Sequence, residues 1–144
     1  MASSYCFTFC SLEMSVRYGD GDTNNNDIDI ISCYVHTGLE RAKNFSDIGA
    51  VHHAHMRVIN TLIDTMCDHC LTSVWRKHCY RYIKRLLPLL YEMLNQEQYK
   101  QKNQEIQTLH AYFFADNQKK HQLHKRQHSN LPGVKEQPLN PKKP

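Results

Sequence analysis

The strongest structural signal in this chain is the run AVHHAHMRVINTLIDTMCDHCLTSVWRKHCYRYIKRLL, from Ala50 to Leu87, which contains neither glycine nor proline. Its apolar residues recur at steps of three and four, which is the spacing of one face of an amphipathic helix. An unbroken helix of this length would measure about 57 Å, too long for a small domain. Thr72 and Ser73 have the weakest helix propensity, so we expect a break there. The apolar positions are Val51, Met56, Ile59, Leu62, Ile63, Met66, Cys70, Val74, Ile83, Leu86 and Leu87.

The neighbouring segments extend the helical region in both directions. Thr37 is a plausible N-cap for a helix that continues to Ile48. Pro88 can bend the second helix of the central run or begin another. Residues 95–115 are rich in Gln, Lys and Glu, with a thin apolar stripe at helical spacing. We therefore expect a mainly α protein whose helical domain covers residues 36–115.

The two ends of the chain differ in composition from the helical region and from each other. Residues 1–35 are predicted to form a short extended N-terminal arm and an acidic loop, because Tyr5, Phe7 and Phe9 alternate with small residues and five carboxylates follow. Residues 116–144 are rich in Lys, His and Pro and poor in apolar residues. Such a composition cannot bury enough surface to fold, so we expect a disordered basic tail.

Charge and cysteine content narrow the functional class. The chain of 144 residues has a net charge of +4, with the acids near the start and the bases near the end. This asymmetry suggests an anionic partner, nucleic acid first and a membrane surface second, although a solvated tail needs no partner. No signal peptide and no membrane span is apparent, so we expect the six cysteines to be reduced.

Cys67 and Cys70 have the spacing of a pair of zinc ligands. Two further donors could come from His69, His78 or Cys79 downstream, or from His52 and His55 upstream. A straight helix would hold these groups too far apart, so the site requires the chain to turn near Thr72 and fold His78 or Cys79 back over the pair. The alternative is that both cysteines are core thiols on a helical stripe. Zinc is therefore a candidate cofactor.

Features of an enzyme are not visible in the sequence. It contains no glycine-rich phosphate loop and no nucleophilic arrangement of Ser, His and Asp or of Cys and His that can be placed from the residues alone. A redox role for the Cys67/Cys70 pair would need a βαβ context that the chain lacks. We expect a non-catalytic protein.

A basic segment from Trp75 to Arg85 is the best candidate for nucleic-acid binding. It contains no acidic residue and interleaves its cations with Trp75, Tyr80 and Tyr82. Clustered cations neutralise phosphates, and aromatic rings can stack on unpaired bases. The alternative is a solvated basic face beside a protein interface. The predicted binding residues are Arg76, Lys77, Arg81, Lys84 and Arg85.

The segment Arg41-Ala-Lys-Asn-Phe-Ser-Asp-Ile48, followed by His53, His55 and Arg57, resembles the precoat protein family of geminiviruses. That family carries a similar run of Arg-Ala-basic-Asn-aromatic followed by an acidic residue and a His-x-His-x-Arg cluster. Cys67 and Cys70 would correspond to its downstream Cys/His patch. The resemblance covers about 17 residues, and its core is Arg41, Ala42, Lys43, Asn44, Phe45, His53, His55 and Arg57.

This resemblance implies a plant-virus accessory protein without enzymatic activity. Such proteins suppress host RNA silencing by engaging a host protein of that pathway, and they aid viral movement. The implied location is the host cytoplasm and cell periphery, and partly the nucleus.

Two other functional hypotheses stand beside this one. The first is a zinc-stabilised module that binds RNA or single-stranded DNA through the basic segment. The second is an assembly or interaction protein whose helices pair between protomers to form a homo-oligomer.

Overall fold

A computed structural model gives the backbone of residues 2–19 and 29–130 and the side chains of residues 8–19 and 29–115. Five α-helices cover this part of the chain: α1 (Ala2–Tyr18), α2 (Ile30–Lys43), α3 (Ile48–Met66), α4 (Ser73–Met93) and α5 (Gln96–Asn130). The prediction of a mainly α protein is confirmed. None of the described helices combines the length and hydropathy that a membrane crossing requires.

The central run folds as predicted, with a break in the expected place. Helix α3 ends at Met66, and Thr72 caps α4 by accepting a hydrogen bond from the backbone N–H of Trp75 at 3.2 Å. Pro88 lies inside α4 on its exposed side, so the helix continues past it. Most predicted core positions are buried, namely Ile59, Leu62, Ile63, Met66, Ile83 and Leu86.

The chain divides into two compact units, residues 1–107 and residues 108–144. In the first unit α3 packs against α1, α2 and α4. The start of α5 contributes Ile106, whose side chain is fully buried. In the second unit α5 continues, and the rings of His110 and Phe114 lie 4.7 Å apart between centroids.

The predicted extended arm at residues 1–35 is wrong, because its first half is helix α1. The alternation of aromatic residues was a weak strand signal: Phe9, Glu13 and Val16 lie at steps of four and three, and all three are buried. Gly19 ends α1 with a φ of 68°, the left-handed conformation that glycine adopts readily at a helix end. The acidic loop at residues 20–28 lies outside the described residues.

Helix α2 begins earlier and ends earlier than the sequence predicted. Its N-cap is Asp29, whose carboxylate accepts a hydrogen bond from the backbone N–H of Ser32 at 3.0 Å, and Thr37 lies inside the helix. The helix ends at Lys43 and does not continue to Ile48, and the side chains of Phe45 and Ile48 are exposed. The boundary placed between residues 35 and 36 therefore falls within a helix.

The predicted basic tail at residues 116–144 starts within α5, whose backbone is helical as far as Asn130. Residues 131–144 lie outside the described residues.

Candidate nucleic-acid interface

Helix α4 is amphipathic, and its burial determines which cations face solvent. One side of the helix packs into the core of the first unit, and its buried residues are Trp75, Cys79, Ile83, Leu86 and Leu90. The opposite side is left to solvent, as the helical period requires. The exposed cations on that side are Lys77, Arg81, Lys84 and Arg85, which we call the α4 cationic face.

Arg76 does not belong to this face, so its prediction as a nucleic-acid-binding residue is wrong. The residue is only 3% exposed, and its Nε donates a hydrogen bond to the backbone carbonyl of Met66 at 2.8 Å. That carbonyl is in the last turn of α3, where unpaired carbonyls and the helix dipole favour a cation. Arg76 therefore fixes α4 to the end of α3. It follows the buried Trp75 by one residue and precedes Cys79 by three, and this spacing could have signalled its burial.

The two tyrosines of the segment are held against their own helix. Lys84 Nζ lies 5.0 Å from the centroid of the Tyr80 ring, and Arg85 Cζ lies 4.9 Å from that of Tyr82. The Tyr80 hydroxyl donates to Gln107 Oε1 at 3.2 Å, and the Tyr82 hydroxyl donates to Asp29 at 3.1 Å. The rings thus position the cations above them, and both cation–ring distances lie within the range of a cation–π contact.

Asp29 joins the start of α2 to α4, a role that the sequence did not reveal. Besides capping α2, its Oδ2 lies 2.9 Å from Nε2 of His78. Burial raises the pKa of Asp29, but the hydrogen bonds from Ser32, His78 and Tyr82 outweigh it, so the pKa is lowered overall. An acid placed directly before the apolar run at Ile30 is the N-cap signal that would have indicated the first of these roles.

The predicted zinc ligands are not gathered into a site. Cys67 caps α3 and Cys70 is exposed in the following turn, whereas Cys79 is fully buried in α4 and His78 is hydrogen-bonded to Asp29. Among the described residues no three His, Cys, Asp or Glu side chains are arranged to hold a metal ion. Burial raises the pKa of the Cys67 thiol, and it raises that of the Cys79 thiol to about 12. In the described part of the chain, therefore, Cys67, Cys70, His78 and Cys79 are not brought together around one point.

The residues that carry the precoat resemblance lie along the end of α2, the α2–α3 turn and the first half of α3. Arg41 Cζ lies 4.9 Å from the centroid of the buried Phe9 ring and 5.2 Å from that of Phe45, and Arg57 Cζ lies 4.9 Å from Phe9 on α1. Ala42 is buried, and Asn44 is the C-cap of α2. Lys43 pairs with Glu40 at 3.0 Å, His53 is exposed, and His55 Nδ1 lies 3.2 Å from Met93 Sδ.

Arg57 also belongs to a partly buried polar network around the Glu13 carboxylate, which the sequence did not reveal. Its Nε and Nη2 donate to the two carboxylate oxygens of Glu13 at 3.0 and 2.9 Å, and Tyr34 donates to the same carboxylate at 2.7 Å. Burial raises the pKa of Glu13, but these bonds outweigh it, and the net pKa is lowered. Burial raises the pKa of Tyr34 above its usual range. A single acid between the apolar positions Phe9 and Val16 was the available signal.

Of the residues that carry the resemblance, Arg57 and Ala42 stabilise the fold. The residues of the α2–α3 turn are accessible to a binding partner. Residues 43–48 are all exposed, including the apolar side chains of Phe45 (37%) and Ile48 (74%). Compared with protein-family models, with curated proteins and with solved structures, the chain matches none.

Proposed function

We propose that this chain is a non-catalytic plant-virus accessory protein that binds RNA through the α4 cationic face. In this proposal it suppresses host RNA silencing and aids viral movement, and it acts in the host cytoplasm, at the cell periphery and in the nucleus. The viral context comes from the resemblance at residues 41–57, and the binding surface comes from the geometry of α4.

The observation that carries the proposal is the separation of charge on α4. Four cations are exposed on one side of the helix, and no acidic residue occurs from Ser73 to Tyr91. They span nine residues from Lys77 to Arg85, and the eight steps between these two positions measure about 12 Å along the helix axis. Cations held this close together act jointly on a phosphate backbone, where each neutralised phosphate releases a counterion.

The size of the effect follows from the number of cations. With four phosphate contacts the logarithm of the binding constant falls with that of the salt concentration at a slope of about −2.8 for a single strand and about −3.6 for a duplex. Between 50 and 200 mM salt, affinity would fall by about 50-fold or about 150-fold respectively.

A contact with a host silencing protein is a second candidate, supported by the exposed α2–α3 turn. Asn44, Phe45 and Ile48 project into solvent next to Arg41. An exposed aromatic and an exposed aliphatic side chain beside a cation are typical of a protein-binding position. This surface and the α4 cationic face have no residue in common, so variants can distinguish the two functions.

The binding proposal is tested by fluorescence anisotropy with labelled RNA at low salt. We expect the variant Arg81→Gln/Lys84→Gln to bind at least tenfold more weakly than wild type. The control Lys43→Gln/Lys100→Gln removes the same charge from exposed sites outside the face and should bind nearly as wild type. Equal weakening in both variants would show a general charge effect and would refute the interface.

The cellular proposal is tested by a silenced reporter in leaves, with protein levels checked. Wild type should restore the reporter. If suppression depends on RNA binding, the variant Arg81→Gln/Lys84→Gln should lose suppressor activity. If suppression depends on contact with a host protein, the variant Asn44→Ala/Phe45→Ala should lose that activity instead. A well-expressed wild type without effect would refute the silencing function while leaving the binding result standing.

A further inference from the structure

We infer that the α4 cationic face binds the phosphate backbone of a double helix and does not stack on unpaired bases. This inference rests on the proposed function, and it replaces the expectation that the tyrosines of the segment are base-stacking rings. The ligand of the α4 cationic face is then a rigid double row of phosphates, which is present in both duplex RNA and duplex DNA.

One face of the Tyr80 ring is covered by a cation of the same helix. The Tyr80 hydroxyl is directed to Gln107 on α5, and the ammonium group of Lys84 lies over the ring at 5.0 Å from the centroid. A base that stacked there would displace Lys84, one of the four cations on which binding depends. Stacking and phosphate contact therefore compete at this position.

Tyr82 is held still more firmly, on the side of α4 that faces the start of α2. Its hydroxyl donates to Asp29, the guanidinium of Arg85 lies over its ring, and His78 meets the ring edge to face at 5.3 Å and 86°. The Asp29 carboxylate next to this ring would also repel a phosphate. An approaching strand is therefore directed towards Lys77, Arg81 and Lys84.

Proteins that bind single strands gain affinity from exposed aromatic rings, typically by one to two orders of magnitude for each stacked base. On α4 the exposed ring nearest to the cationic face is Tyr91, two helical turns beyond Lys84. It lies edge to face with Tyr99, 5.2 Å away between centroids. The cationic face itself therefore lacks the ring contacts that retain a single strand.

Three of the four cations form a straight row. Lys77, Arg81 and Lys84 occupy positions i, i+4 and i+7, so they lie along one side of the helix over about 10 Å. Val74 and Pro88 extend the same side beyond both ends of the row, and both are exposed. A rigid row of charges suits a backbone whose phosphates are already fixed, whereas a single strand must first be ordered, at an entropic cost.

The test compares anisotropy titrations of the full chain with four labelled ligands of about 20 nucleotides per strand, roughly two turns of a duplex. The ligands are an RNA duplex, a DNA duplex of the same sequence, the single RNA strand and a scrambled RNA duplex. We expect both duplexes to bind more tightly than the single strand, and the scrambled duplex to bind within about twofold of the original, because phosphates carry no sequence information. A preference between the duplexes identifies which is the natural ligand.

Tyr91→Leu provides the matched ring variant, since it removes the exposed ring without opening the core. We expect its dissociation constants for all four ligands to stay within about twofold of wild type. A single strand that binds as tightly as the duplex, or a loss of fivefold or more in Tyr91→Leu, would overturn the inference. Binding of single strands alone would leave the proposed RNA binding intact, whereas no binding to any ligand would refute the proposed function as well.

Discussion

Arg76 gives the sharpest test of the structural assignment, because the sequence alone places it among the binding cations. In the substitution Arg76→Met the aliphatic part of the side chain is retained and the guanidinium is lost. The Met66 carbonyl then has no donor from Arg76, and the last turn of α3 loses a buried cation. A hydrogen bond to a charged group contributes about 1.5–3 kcal/mol to stability. The favourable interaction with the helix end adds up to about 1 kcal/mol.

We therefore expect Arg76→Met to lower the free energy of unfolding by about 1.5–4 kcal/mol. With a denaturant slope of about 2 kcal/mol per molar urea, the midpoint should fall by about 0.8–2 M. The assay is urea unfolding followed by far-ultraviolet circular dichroism. The matched control is Lys77→Met, an identical replacement at the neighbouring exposed position, which should change stability by no more than about 0.5 kcal/mol. Equal unfolding midpoints for Arg76→Met and wild type would refute the stabilising role of the contact between Arg76 and the Met66 carbonyl.

Three further predictions concern the fold and the thiols. Glu13→Gln should cost about 1–3 kcal/mol near neutral pH by weakening the pairing with Arg57. The pKa of Glu13 is lowered in the folded state, so wild type should lose this contribution to stability as the pH falls below about 4.5. Urea unfolding curves measured at a series of pH values should show that the stability of the variant depends less on pH than that of wild type. Gly38→Ala should lower the melting temperature measured by calorimetry, since a Cβ would overlap a side chain of α3. Cys67→Ser/Cys70→Ser should leave metal content, measured by mass spectrometry, at the same background level as in wild type.

Each of these predictions can be contradicted by one result. For Glu13 it is an unchanged pH dependence of stability, and for Gly38 it is a melting temperature equal to or above that of wild type. For the cysteines it is stoichiometric zinc in the purified protein that disappears in the double variant.

The helical core was predictable because a single physical rule governs it. Apolar residues at steps of three and four must share one side of a helix, so Ile59, Leu62 and Ile83 were correctly placed in the core. The break at Thr72 was predictable for a local reason, namely the low helix propensity of that position and the capping ability of its hydroxyl.

The candidate site was less predictable, because it depends on where helices meet. Arg76 and Lys77 are adjacent cations in the sequence, but a rotation of 100° between them puts one against the end of α3 and the other in solvent. Glu13 and Arg57 are 44 residues apart, and only the packing of α1 on α3 reveals that they pair. The spacing of Cys67 and Cys70 suggested a metal, but the other two donors depended on how deeply α4 is buried.

The most direct test of the central claim is the salt dependence of duplex RNA binding. Wild type and the variant Lys77→Gln/Arg81→Gln/Lys84→Gln would be titrated between 50 and 200 mM salt. We predict a slope of about −3.6 for wild type, which falls to about −0.9 in the variant because three of four phosphate contacts are removed. The same slope in both proteins would show that these cations do not touch the backbone, and it would contradict the account of α4 as the binding surface.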